Sequence, residues 1–75
     1  MTTEEIVMKL KRKEALVFFE WLSSIDSLET SIIQHSAEEK VLWKLHGQLE
    51  SALHEPFLPN YTQIIEEARK YVISE

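Results

Sequence analysis

His46, Glu50 and His54 stand four residues apart in sequence, the spacing that brings neighbours onto one face of a helix. Imidazole and carboxylate groups so placed can share a proton, a hydrogen bond or a metal ion. A metal site needs three or four ligands, and the two histidines would lie about 12 Å apart along the helix axis. One helix therefore offers too few donors to a single ion. His35 adds another only if the connection before that helix folds back. No metal and no cofactor is expected; a small domain binding a metal or ligand on this His/Glu face is the alternative reading. An ordinary surface pair between Glu50 and one histidine, worth about 0.2–0.5 kcal/mol, accounts for the same residues.

The same side carries Trp43 and Gly47, the latter the only glycine of the chain. An indole left in water is wasteful, and Gly inside a helix costs about 1 kcal/mol relative to Ala. Both residues suit a surface that another chain approaches closely, and Trp is enriched at interface hot spots. Trp43, Gly47, His46 and Glu50, with Trp21 on an earlier helix, form the candidate partner-binding set. The partner would be another protein or a second copy of this chain. In the competing reading, the N-terminal segment of the same chain covers Trp43.

Other chemistry is sparse. Lys9, Lys11, Arg12 and Lys13 place four cations within five residues, while the other four cations share the chain with thirteen carboxylates. Such a cluster suits a small phosphate or acidic contact, or a solvated segment beside the domain's own carboxylates. Without aromatic interleaving or a recognition-helix pattern, and with a net charge of −5, nucleic-acid binding is not expected. Pro56-Phe57-Leu58-Pro59 matches PxxP, but two prolines bracketing a helix connection explain it. There is no cysteine, no Gly-rich phosphate loop and no serine elbow, and Ser23, Ser24 and Ser51 have no evident base. Glu38-Glu39 and Glu66-Glu67 are adjacent in sequence, hence splayed about 100° apart on a helix. Enzymatic activity is not expected.

Seventy-five residues, 44% hydrophobic and 28% charged, describe one globular domain, residues 1–75. A chain this short buries only about 60% of its unfolded surface, and without cysteines its natural reinforcement is a second subunit. The acidic MTTEE start has no basic region preceding an apolar stretch, and the run Ala15 to Leu22 is too short to span a bilayer. A cytoplasmic protein that stays off membranes is expected.

Positioning falls to three helices. Residues 5–11, EIVMKLK, alternate Ile6, Met8 and Leu10 and read as a short extended or irregular segment; the rival reading is a helix beginning at Thr2, with Thr2 and Glu5 as a capping box. The first helix, Arg12 to Ser24, spreads Val17, Trp21, Ile25, Phe18, Leu22, Ala15 and Phe19 over about 200° of its circumference and needs cover on two sides. Across 25–35, Asp26 and Glu29 stand in capping-box register, and Ile32 and Ile33 are expected to fold onto the core. Ser36 with Glu39 opens the second helix; Val41, Leu42, Leu45, Leu49, Ala52 and Leu53 form its apolar stripe, within about 120°. Pro56 stops it near His54. Phe57 and Leu58 are expected to plug the core, and Asn60 to cap a third helix, Tyr61 to Ile73, with Tyr61, Ile64, Ile65, Ala68, Tyr71 and Val72 inward. The short connection favours an antiparallel pairing of helices two and three. The fold class is all-α: a small three-helix bundle with a short extended N-terminal segment.

The segments EALVFFEWL, VLWKLHGQLESAL and EPFLPNY…EEAR together resemble a group of small uncharacterised bacterial helical proteins. The resemblance covers most of the chain and is most specific at Glu55-Pro56-Phe57 followed by Tyr61. It implies a helical fold and carries no activity. The function expected is a small cytoplasmic protein–protein interaction module acting through an apolar, Trp-bearing helix face.

Overall fold

The structure, a computed structural model, describes residues 4–25 and 33–75. Helix α1 spans Arg12–Ile25, α2 Ser36–Ala52 and α3 Tyr61–Ser74, with a single 3₁₀ turn, Glu55–Phe57, between the last two. This is the all-α three-helix bundle expected from the patterning, led by residues 4–11, which form no helix. The expected turn at Asp26 and Glu29 and the position of Ile32 lie outside the described residues; Ile33 is half-buried.

Helix α1 starts without a Ser or Thr cap. Glu14 does that work: its Oε1 accepts from the Lys11 backbone N–H at 2.7 Å, satisfying one of the donors a helix start leaves open. Ala15, Leu16, Phe19, Leu22 and Ile25 are all buried, following the i, i+3/i+4 rhythm of a core-facing stripe. The breadth of that stripe lets α1 meet both α2 and α3. The pairing of α2 with α3 expected from their short connection is replaced by two pairings, each with α1. One cluster holds the centre: Ala15, Leu16 and Phe19 of α1, Ile65 and Ala68 of α3, and Leu53 just past α2.

Helix α2 departs from the sequence reading in two ways. Its N-cap is His35, not Ser36: the His35 side chain accepts from the Ala37 N–H at 3.0 Å, and Glu38 Oε1 accepts from the Gln34 N–H at 2.9 Å. More consequentially, none of its residues is buried. The half-buried ones are Leu42, Leu45, His46 and Leu49, an arc centred about 90° round from Val41 where the apolar stripe alone centres near 60°. That rotation moves Val41 out into solvent and turns His46 toward α1.

The connection to α3 also differs. Phe57 is 74% exposed and Leu58 is exposed, so neither plugs the core. Leu53 and Glu55 are the buried residues there. Glu55 is held by a two-pronged pair with Arg12 at the start of α1: Nη2 donates to Oε1 at 2.7 Å and Nε donates to Oε2. With Glu55 drawn inward, Phe57, two residues on in a tight 3₁₀ turn, faces away. Asn60 occupies the cap position of α3, but its side chain makes no cap bond. A second tie fixes that helix instead: Tyr61 O–H donates to Glu20 Oε2 of α1 at 2.7 Å. Burial, then the Glu20 carboxylate, pushes the Tyr61 phenol above its ordinary value.

The Arg12 fork holds the Glu55 carboxyl down at about 2, against an ordinary 4.5. The unfolded chain therefore takes up that proton first. The stabilisation from this group is complete above the ordinary value and is lost as pH falls through about 2. Glu55→Gln is expected to be less stable than wild type at neutral pH and to show a flatter loss of stability on acidification below 4.5, read by circular dichroism in urea at stepped pH. Parallel acid limbs for the two proteins would contradict the pairing.

Candidate functional site

The five residues singled out from the sequence do not form one patch. His46 lies between helices: its ring stacks on Phe19 of α1 at a centroid distance of 4.7 Å, and its Nε2 is 3.0 Å from Ser23 Oγ. Its role in this chain is to seat α2 on α1. Trp43 packs edge-on against His46 at 5.7 Å and remains 38% exposed. Gly47 and Glu50 are exposed beside it on the outer arc of α2. Trp21, 47% exposed, is on α1 and stacks with Phe18 at 6.2 Å. Phe18 in turn lines a groove with Leu45, Leu49 and the N-terminal segment.

The chain thus presents two separate apolar surfaces. One is the outer arc of α2, Trp43 with Gly47 and Glu50. The other is a groove of about 260 Å³ whose walls include Ile6, Met8 and Leu10 before α1, Phe18 on α1, and Leu45 and Leu49 on α2. A shallower recess continues it past Val7, Val41 and Lys44. Projected at about 100° per residue, Trp43 is roughly 130° around α2 from the Val41, Lys44 and Gln48 side. The N-terminal segment therefore runs along the opposite flank of α2 from Trp43. Residues 4–11 thus do not cover Trp43.

Gly47 is not required by packing among the described residues. A Cβ built on it meets nothing within 4 Å, and its φ is not positive. Among the described residues, none makes the close approach that this glycine permits.

The His/Glu face does not assemble a donor set. His54 is past the end of α2, where its Nδ1 accepts from Arg12 Nη2 at 2.9 Å; Arg only donates, so the neutral ring carries its proton on Nε2. His54 also stands 3.7 Å from Glu55 Oε1, and it is this carboxylate, not Glu50, that it meets. Among the described residues no group of three His, Cys, Asp or Glu side chains is close enough to hold a metal ion. The basic cluster is largely absorbed as well. Arg12 holds Glu55, and the Lys13 and Lys11 ammonium groups sit over the Tyr71 ring at 4.7 and 5.7 Å, a cation–π arrangement that ties the start of α1 to α3. The hydrogen bond to Tyr71 raises the Lys11 ammonium above its ordinary value.

Sequence reasoning missed the Arg12–Glu55 fork and the groove in front of α1. Nothing local marks the fork, since its partners are 43 residues apart. The groove had a signal in the alternation of Ile6, Met8 and Leu10, but its other wall comes from α1 and α2. Comparison with protein-family models, curated proteins and solved structures found no match. Among the described residues, no helix is long and apolar enough to cross a membrane.

Gly47→Ala is expected to raise stability by about 0.5–1 kcal/mol, because the methyl enters open space and the helix loses a flexible residue. Urea denaturation measures this directly. A destabilised variant would mean that α2 is more closely approached in the free chain than the structure has it.

Proposed function

We propose that this chain is a protein–protein interaction module that docks through an apolar, Trp-bearing helix face, and that it works in the cytoplasm without catalysing a reaction. The observation supporting this most strongly is that α2, a helix of seventeen residues, buries none of them. A helix whose apolar side is only half covered derives little stability from its own fold. Trp43 stands out from it beside a glycine that no packing among the described residues requires. A large aromatic beside open backbone is the composition of a docking hot spot, where one indole can account for much of the binding energy.

The His/Glu alternative has no comparable support, because His46 and His54 are each engaged by other groups of the chain. Ser23 does have an imidazole beside it, His46 Nε2 at 3.0 Å. That ring is stacked on Phe19 between α1 and α2 and bonds no carboxylate among the described residues, an arrangement that favours binding over catalysis.

Trp43→Ala tests the reading. The variant is expected to keep its helicity and to melt within a few degrees of wild type. Against a partner recovered with wild-type bait and then purified, it should bind at least tenfold more weakly, about 1.4 kcal/mol or more. A variant that binds as tightly as wild type would remove Trp43 from the interface. One that fails to fold would make Trp43 part of the core.

A further inference from the structure

The segment ahead of α1 has groups that nothing among the described residues satisfies. Ile6, Met8 and Leu10, at alternate positions, face one groove with Phe18, Leu45 and Leu49, the alternation an extended chain produces. Yet Ile6 is 89% and Met8 80% exposed, and Val7 between them is exposed too. Among the described residues, the backbone groups of residues 4–10 bond to no other backbone group. An alternating, unpaired segment outside any helix is a template for another strand.

The charges along the segment indicate which strand. Glu4 and Glu5 stand at one end, Lys9 and Lys11 at the other. Two copies laid parallel would oppose like charges; laid antiparallel, they oppose carboxylate to ammonium at both ends. Glu4, Glu5 and Lys9 make no hydrogen bond or ion pair among the described residues, so their charges are available.

We infer that two copies of this chain dimerise by antiparallel pairing of residues 4–10, with Val7 opposite Val7. In that register Ile6 opposes Met8 and Glu5 opposes Lys9, each twice, by the two-fold symmetry of such an interface. Directly opposed residues share a face of the ribbon, so only registers that match even with even positions keep Ile6, Met8 and Leu10 of both copies on the groove side. Among these, centring on Val7 uses the free stretch 4–10 and no more. Centring on Met8 would draw in Lys11, whose N–H already serves Glu14 and whose carbonyl accepts from Ala15. The ribbon places six apolar side chains over the two grooves and pairs the inward-facing half of the open backbone groups of both segments. It rests on the reading of the chain as an interaction module and names a second copy as the partner of this surface. Trp43, on the other flank of α2, takes no part.

Charge exchange tests the register. Glu5→Lys opposes lysine to lysine in the ribbon, and Lys9→Glu opposes glutamate to glutamate. Both positions are exposed and outside the helices, so circular dichroism should be unchanged. In sedimentation at about 100 µM, the wild-type chain of 8.8 kDa should run at close to twice its mass. Each single variant should dissociate at least tenfold more readily. An equimolar mixture of the two variants restores Glu–Lys pairs across the ribbon and should recover the dimer. A wild-type monomer at that concentration overturns the inference and leaves the segment open to a foreign strand. Single variants that dimerise as tightly as wild type also overturn it. If Trp43→Ala alone breaks the dimer, the copies meet through α2's indole face: the ribbon is wrong, while the interaction reading stands.

Discussion

Because α1 packs against both of the other α-helices, it takes up most of the apolar area that three short helices can hide. Five of its fourteen residues are buried, against none of the seventeen in α2. The imbalance follows from size. A chain of 75 residues has too little volume to surround more than one helix. Once α1 is in the middle, α2 and α3 must each keep an outer face. On α3 the middle of that face is polar, with Glu66, Glu67 and Lys70 exposed, and the apolar exposure comes at its end, with Tyr71 and Ile73. On α2 it is not, and Val41 and Trp43 stay at the surface.

Polar ties make up for the thin core. Arg12 reaches from the first turn of α1 to Glu55 beyond α2, and Glu20 reaches from α1 to Tyr61 at the start of α3. Both close long loops of chain, and both act where capping is poor: α3 has no side-chain cap. A carboxylate held by a planar guanidinium through two bonds is directional as well as strong. The fork therefore sets the path of the Glu55–Phe57 turn, not only its stability. With Phe57 turned outward as a result, even this connection adds to the uncovered surface.

Much of the fold is legible in the sequence because it is local. The 3.6-residue rhythm of Ala15, Leu16, Phe19 and Leu22, the stop imposed by Pro56 and the stripe of Ile64, Ile65 and Ala68 place three helices within a residue or two of their observed ends. What was not legible depends on neighbours. The roll of α2 about its axis is decided by whether Val41 or His46 meets α1, and a periodic pattern cannot rank an aliphatic at one edge against an imidazole that stacks on Phe19 and bonds Ser23. The same holds for the candidate surface. Trp43 and Gly47 could be picked out as residues their own helix does not want, but their separation from Trp21 emerges only when α1 and α2 are packed. The groove of Ile6, Met8 and Leu10 likewise exists only against α1 and α2.

All of this depends on the isolated chain leaving Met8, Trp21 and Trp43 open to water. Hydroxyl-radical footprinting of dilute protein, read residue by residue by mass spectrometry, measures that accessibility directly. The account predicts that these three side chains are labelled at rates approaching those of the urea-unfolded chain, while the buried Phe19 is strongly protected. Protection of all three to the level of Phe19 in dilute solution would contradict it, because the chain would then be covering its own apolar surface.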